Sequence, residues 1–467
     1  MTAAPGPGPA GPAPAGAGGP GPGAPGLAPL VGLRPRRPRR PALGEGGQGL
    51  VFALDDDPEL VLKVFRKPGG ELSARMRALD RQAPRLAAPG SRSPVAWPAE
   101  LVLNADGEVG GYLMRRYGRP EYHRLETLFT PVTRAEAFPQ ADWRFLAGVA
   151  RNLASVVAGL HKDPAMFVVG DLSPANIVIS DKGYVALLDS DSMQFRDLRT
   201  REVFPCAALT PNYAPPELQV QASDFPRSPY TDNFSLAVII VQLLLCGEHP
   251  FAFQPADGSE AQPADNIREA RSHLIGDGLV RLPRRALTAD VLPPEVRAMA
   301  LSALRDGRLD PRQRPSAQQW ATALAAVIAE AGKCRAGHAF LTAHGECPWC
   351  ERLALGLPDP FGRRLPPDYE PSARVRDAMA GHARAAQDVA ARAAAARAAA
   401  PAGVPAQAMP PGFVPPGAPF PGAQPPGGVP AVSPGGAVAR RGRVPPAVLA
   451  VGVALIVLVI VFAIIGS

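Results

Sequence analysis

Cysteine is scarce in this chain: 5 residues in 467, three of them crowded between positions 334 and 350. So few exclude a disulfide framework and point to a reducing compartment, while the crowded three suit a metal. Aromatic residues make up only 6% and charged residues 19%, and neither class is spread evenly. Met1 to Leu30 contains no charged and no aromatic side chain. That stretch cannot build a core, and it lacks the basic start and apolar run of a signal peptide. No repeat of fixed period is present. The net charge of +7 is modest for the length, so no specific nucleic-acid partner is expected. What abounds is proline (57) and glycine (47). Proline breaks helix interiors and sheet centres, which excludes one 467-residue globule.

The proline excess falls at the two ends. Residues 1–36 read as a disordered Pro/Gly/Ala-rich tail, and a cluster at Arg34, Arg36, Arg37, Arg39 and Arg40 runs across its boundary with the next segment. That cluster suits a solvated basic flank, with contact to acidic lipid or nucleic acid as the rival reading. Residues 37–331 have mixed charge and periodic apolar residues, enough for a two-lobed domain with a large core. Residues 353–444 read as an Ala/Pro/Gly-rich linker, within which the proline-free, Ala/Arg-rich stretch 372–400 suits a solvated helix. Ala447–Ile465 is a run of 19 uncharged, mostly apolar residues. As a helix it nearly matches the roughly 30 Å hydrocarbon core. A transmembrane helix is therefore expected over 445–466, with the lipid bilayer as its partner. Arg440, Arg441 and Arg443 precede it. The positive-inside tendency then puts the N-terminal bulk in the cytoplasm and the C-terminus outside a single-pass cell membrane.

Inside the folded region, Gly44-Glu45-Gly46-Gly47-Gln48-Gly49-Leu50-Val51 fits G-x-G-x-x-G-x-V. Glycine is needed where backbone must approach a phosphate closely. Two strand-like runs follow, 51–54 and 60–65, and the second carries one lysine, Lys63, among apolar residues. A lysine there is costly unless it is paired. The functional reading is a lysine that reaches nucleotide phosphates, with Glu71 on the next helix as its candidate partner. Further on, Asp171 and Asn176 lie five residues apart between apolar runs, and Asp189 ends Val185-Ala186-Leu187-Leu188. Phosphoryl transfer uses such a set: one carboxylate orients the attacking hydroxyl and accepts its proton, while an amide oxygen and a second carboxylate hold magnesium.

With these motifs in this order, residues 41–331 resemble the protein kinase fold, and more closely the bacterial eukaryotic-like Ser/Thr protein kinases. Gly111-Tyr112-Leu113-Met114 resembles the strand entering the hinge, and Tyr213-Ala214-Pro215-Pro216-Glu217 resembles the A-P-E segment. Asp232 sits where the family has the helix aspartate that braces the catalytic loop, and Arg314 where an arginine pairs with the A-P-E glutamate, here Glu217. Some relatives in this subgroup carry helix-hairpin-helix DNA-binding modules; no such module is found here. The resemblance implies a bilobal α+β fold, a small β-rich N-lobe over 37–116 and a helical C-lobe over 117–331. It implies ATP and Mg2+ as cofactors and protein substrates as partners. Asp171, Lys63, Asn176 and Asp189 would be catalytic. Gly44, Glu45, Gly46, Gly47, Gln48, Gly49, Val51, Lys63 and Met114 would bind nucleotide, and Asn176 and Asp189 would hold magnesium.

Three departures stand out. The family's H-R-D is Val169-Gly170-Asp171, without the arginine that pairs with a phosphorylated activation segment. The lysine two residues after the aspartate is Ser173. The D-F-G is Asp189-Ser190-Asp191, in which Asp191 reads either as a second metal ligand or as a solvated loop acid. Ser192, Thr200 and Thr210 are candidate phosphorylation sites. The expected activity is ATP-dependent phosphorylation of protein Ser/Thr hydroxyls in signalling. A nucleotide-binding pseudokinase and a small-molecule kinase of the same fold remain as alternatives.

Residues 332–352 hold Cys334-x3-His338 and Cys347-Pro348-Trp349-Cys350. Two close pairs separated by eight residues suit a tetrahedral Zn2+ site, with His344 as an alternative to His338. Four protein ligands leave no open position, so this zinc knuckle is expected to be structural.

Overall fold

The computed structural model describes residues 30–31, 38–83, 92–220, 226–276 and 278–398. Nearly all of the tail expected over 1–36 and the span expected over 445–466 lie outside these residues. Among the described residues no helix is long and apolar enough to cross a membrane. Two residues within the expected tail do have a place. Leu30–Val31 (β1) pair antiparallel with Asn104 and Leu103.

The N-lobe is one antiparallel sheet of β1, β2 (Pro38–Glu45), β3 (Gly49–Leu54), β4 (Leu60–Phe65), β5 (Pro98–Asn104) and β6 (Val109–Arg115), in the order β1-β5-β6-β4-β3-β2. β4 and β6 read as near-continuous apolar runs because they are central and covered on both faces. One cover is α1 (Gly70–Gln82), which buries Ser73, Met76, Ala78 and Leu79 against the sheet. The spacing of three from Ser73 to Met76 to Leu79 is the inner stripe of an amphipathic helix.

In the C-lobe, β7 (Tyr122–Arg124) and α2 (Pro131–Ala137) lead into α3 (Trp143–Lys162). The Asp142 side chain caps α3 by accepting the Phe145 amide at 3.0 Å. α3 packs on α5 (Pro229–Leu244) and on the helix Ala317–Glu330. Every residue of α5 from Thr231 onward is buried, so it is the central post of the lobe. Between them β7, β8 (Ile177–Ser180) and β9 (Val185–Leu187) form a three-stranded sheet with Ile177 opposite Leu187. The short helix α4 (Pro216–Val220) precedes α5.

Chain beyond residue 352, where a linker was expected to start, stays packed for some twenty residues. Phe361, Leu365 and Tyr369 lie against the main core, and Val375 is buried. The helix Ala373–Ala398 follows, its described side chains beyond Val375 almost all exposed, as its alanine- and arginine-rich composition requires.

Candidate active site

The Gly-rich loop is the turn from β2 to β3. A Cβ at Gly44 or Gly47 would meet nothing within 4 Å, whereas one at Gly49 would fall 2.3 Å from the Val64 carbonyl oxygen. Gly49 is thus demanded by the close approach of β3 to β4, and the open glycines are those free to approach a phosphate. Val51 lies opposite Lys63 across β3 and β4, and Met114 lies opposite Val61 at the end of β6. Glu45 and Gln48 lie within the same turn. Arg66 pairs with Glu45, and the Arg66 amide donates to the Gln48 carbonyl at 2.9 Å.

Lys63 is 5% exposed. Its ammonium contacts the Asp189 carboxylate and lies 2.8 Å from both oxygens of Asp191. Burial, which by itself lowers a lysine pKa, is outweighed by Asp191 and Asp189, and Lys63 ends above its ordinary value. The same pair of acids splits in the other direction. Burial and the neighbouring Asp191 charge push Asp189 up, while Lys63 overcomes burial at Asp191 and holds it down. Glu71, the expected partner, is exposed on the first turn of α1. It faces solvent because the inward stripe of α1 runs through positions 73, 76 and 79. Nor is Asp191 a solvated loop acid, since it is buried with both oxygens on Lys63.

Asp171 and Asn176 are positioned from below by α5. Asp232 of α5 accepts the Val169 and Gly170 amides, each at 2.8 Å, and lies 2.9 Å from His161 Nε2 at the end of α3. Asn176 Nδ2 donates to the Asp171 carbonyl at 3.2 Å and to its carboxylate at 3.4 Å. The amide nitrogen is therefore engaged, and the side-chain oxygen is the end left for a cation. Asn176 immediately precedes β8 and Asp189 follows β9. The Leu188 amide donates to the Asn176 carbonyl at 2.8 Å, tying the two ends of that hairpin. Asp189 adopts a left-handed backbone with φ 60°, a conformation aspartate tolerates better than most residues. Its carbonyl accepts the Ser192 hydroxyl at 2.8 Å.

The departures from the kinase motifs have local causes. Gly170 has φ +76°, and a Cβ there would lie 2.7 Å from the Cys206 side chain. Cys206 and the neighbouring Arg227 fill the space that a side chain at 170 would occupy. Ser173 is buried, so no cation stands at the place of the family lysine. Of the candidate phosphorylation sites, Ser192 is buried, Thr210 half-buried and Thr200 exposed. The ion pair expected between Glu217 and Arg314 is present and bidentate, at 2.7 and 2.9 Å. Sequence reasoning missed Tyr112, whose hydroxyl donates to Asp191 at 2.7 Å. It also missed Arg75 of α1, which bonds the carbonyls of Asp191, Met193 and Pro205.

A second centre lies beyond the helix Ala317–Glu330. Cys334 and His338 sit on the turn joining the paired strands Ala331–Lys333 and Ala339–Leu341. Cys347 caps the helix Pro348–Ala354, and Cys350 lies in its first turn. The four side chains converge, with their ligand atoms all within 4.8 Å of one another. Cys334 Sγ is 3.7 Å from Cys350 Sγ, and His338 Nδ1 is 3.5 and 3.4 Å from these sulfurs. With Zn–S about 2.3 Å and Zn–N about 2.05 Å, a tetrahedron has edges of roughly 3.8 and 3.6 Å. The donor set thus fits zinc. The other ring nitrogen, His338 Nε2, lies 3.2 Å from Asp359 Oδ2, the partner that orients a metal-bound histidine. Burial opposes ionisation of Cys334, but bonds from His338 outweigh it and bring the thiol down to about 7. The side chain of His344 lies outside the described residues.

Residues 117–323 match the family described as Protein kinase domain. The chain is 31% identical over 320 residues to Protein kinase YegI of Escherichia coli (strain K12), covering 66% of this chain and 47% of that protein. Against Protein kinase YegI of Escherichia coli O157:H7 the identity is also 31% over 320 residues, with 66% and 48% covered. The chain therefore spans about half the length of these relatives. Among solved structures, the ROP18 kinase domain in complex with AMP-PNP and sucrose aligns with 62% of this chain and 79% of that one, at 18% identity and a TM-score of 0.39. The bilobal fold, the family match over residues 117–323 and the two bacterial relatives together support a bacterial eukaryotic-like protein kinase.

Proposed function

We propose that the chain is a membrane-anchored kinase that transfers the ATP γ-phosphate to serine or threonine hydroxyls of cytoplasmic proteins. The observation that carries the reading is the meeting of Lys63 from the N-lobe sheet with Asp189 from the C-lobe, alongside the Asp171–Asn176 pair. Phosphoryl transfer asks little covalent chemistry of a protein, so positioning and charge supply most of the rate. In this reading Asp171 orients the substrate hydroxyl and takes its proton. Lys63 and the Gly44–Val51 turn hold the phosphates. Asn176 Oδ1 and the Asp189 carboxylate are hard oxygen donors of the kind Mg2+ prefers. Magnesium, when bound, neutralises phosphate charge. Serine/threonine preference rests on the motif resemblance. Membrane anchoring rests on the Ala447–Ile465 run with Arg440, Arg441 and Arg443 before it. Cys334, His338, Cys347 and Cys350 would hold one structural zinc.

The test uses the full chain in membrane vesicles with labelled ATP, Mg2+ and generic protein substrates, with Asp171→Asn as control. Transfer to serine and threonine that is lost in the variant is expected. Nucleotide binding without transfer would mark a pseudokinase, and transfer only to metabolites a small-molecule kinase. Protease treatment of right-side-out spheroplasts should leave the kinase domain protected, and digestion of that domain would refute the topology.

A further inference from the structure

A buried ammonium needs a counter-ion, and in protein kinases a glutamate on the helix after the lysine strand supplies it. Here that helix is α1, and its inner stripe of Ser73, Met76 and Leu79 offers no carboxylate. Its acids, Glu71 and Asp80, are exposed. The carboxylate comes instead from two residues past Asp189. Asp191 is 1% exposed and places both oxygens 2.8 Å from Lys63 Nζ. Tyr112 lies directly opposite Lys63 in the β4–β6 register, so the two side chains leave the same face of the sheet. Its hydroxyl fixes Asp191 Oδ1 at 2.7 Å. The backbone is fixed as well. Arg75 Nε donates to the Asp191 carbonyl at 2.6 Å, and the Ser190 hydroxyl donates to the Ala96 carbonyl at 2.7 Å.

We infer that Asp191 is the carboxylate that positions the nucleotide-binding lysine in this chain, in place of a carboxylate on α1, and that α1 acts on the site through the hold of Arg75 on the activation segment. The two acids facing Lys63 divide the work by exposure. The Asp189 side chain is 33% exposed and open to a cation, while the Asp191 side chain is fully enclosed. Asp189 can therefore turn to a metal without leaving Lys63 unpaired. Because Asp191 is two residues from Asp189, the lysine pair and the placement of the metal-binding acid form and break together. A shift of α1 acts on both through the three carbonyls that Arg75 holds. Asp191 is a positioning residue, acting through Lys63.

The inference rests on the proposed kinase activity, so its test includes a readout that needs no catalysis. In the full-length protein, a brief acetic anhydride pulse at pH 8, quantified by mass spectrometry, measures the reactivity of the Lys63 amine. Asp191→Asn should raise Lys63 acetylation severalfold, because the amine loses the two contacts at 2.8 Å that hold and enclose it. It should lower kcat about tenfold or more. Adding it to Lys63→Met should cost no further activity, as expected for groups that act as a unit. Glu71→Gln should change neither readout. Unchanged acetylation in Asp191→Asn, or a rise in Glu71→Gln, would overturn the inference even if no form of the protein transfers phosphate. Multiplying losses in the double variant would overturn it as well. Should Asp191→Asn fail to fold, Tyr112→Phe removes only the hydroxyl that orients Asp191. It should raise acetylation, because Asp191 Oδ1 is then no longer held at 2.7 Å by the Tyr112 hydroxyl; no change would then decide against the inference.

Discussion

Replacing Asp232 by alanine tests whether the catalytic loop is held from α5. Asp232 is 1% exposed, and its carboxylate accepts two backbone amides at 2.8 Å and approaches His161 Nε2 at 2.9 Å. A hydrogen bond to a charged group contributes about 1.5–3 kcal/mol, and a buried donor left without a partner costs about 1–3 kcal/mol. Losing both amide bonds should therefore cost about 3–5 kcal/mol. For a domain of this size each kcal/mol lowers Tm by about 2 °C, so a fall of roughly 6–10 °C is expected. The freed amides belong to Val169 and Gly170, immediately before Asp171. A displacement of about 1 Å at the reacting groups costs about 100-fold in rate, so kcat should fall about that much with little change in ATP affinity. His161→Ala removes the third contact and leaves both amide bonds, and should cost severalfold at most. Differential scanning fluorimetry and initial-rate phosphorylation read both quantities. An Asp232→Ala protein with Tm within 2 °C and kcat within twofold of the parent would show that the loop is held by its other contacts.

The remaining expectations concern the lower lobe and the metal. Arg314→Ala removes a fully buried guanidinium from Glu217 and from the carbonyls of Gly307 and Tyr230. Breaking one side of such a pair costs about 3–5 kcal/mol, and denaturant unfolding should show it. His249 is buried with Nε2 3.0 Å from the Asn212 carbonyl oxygen and Nδ1 accepting the Phe251 amide. Burial lowers its pKa to about 4, against a smaller opposing bond to Asn212. Because the unfolded chain takes up this proton first, near pH 6.5, stability is full above that pH. It declines as pH falls toward 4, by about 3 kcal/mol at most. Urea titrations at stepped pH should show the slope, and His249→Gln should flatten it. Elemental analysis should find one zinc per chain, lost in a Cys347→Ser/Cys350→Ser variant that also melts lower, since metal binding is coupled to folding in such sites. Zinc-free parent protein would refute the assignment.

Much of the two candidate sites was legible because their motifs are local. Asp171 and Asn176 share one loop, Gly44–Val51 one turn, and the two Cys/His pairs one short segment. The partner of Lys63 was not local. A sequence shows that Asp191 is two residues past Asp189, but not that the chain there folds inward beneath Tyr112. A usable signal existed all the same. The helical stripe 73–76–79 carries no acid, so a partner on α1 could only have come from an outward position such as Glu71. The extent of packed chain past residue 352 was hidden for a similar reason. A Pro- and Gly-containing segment reads as a linker unless its contacts are known. Here Arg134 of α2 reaches the Pro360 carbonyl at 2.6 Å and lies over the Phe361 ring.

The same logic accounts for the missing arginine before Asp171. In the family that arginine gathers a phosphorylated activation segment. In this chain the segment is gathered by guanidinium groups that bond neutral carbonyl oxygens. Arg75 takes those of Asp191, Met193 and Pro205, and Arg227 takes that of Ala208 at 3.1 Å. Gln194 then clamps the Arg227 backbone through both amide ends, at 2.7 and 3.0 Å. These acceptors are present in the unmodified polypeptide. Gly170 follows as a consequence. With Cys206 packed against the loop, the position before Asp171 has room for neither an arginine nor a methyl group. The altered H-R-D and D-F-G motifs are thus two parts of one rearrangement. The segment between Asp189 and Glu217 carries the lysine counter-ion and is held by arginines from both lobes.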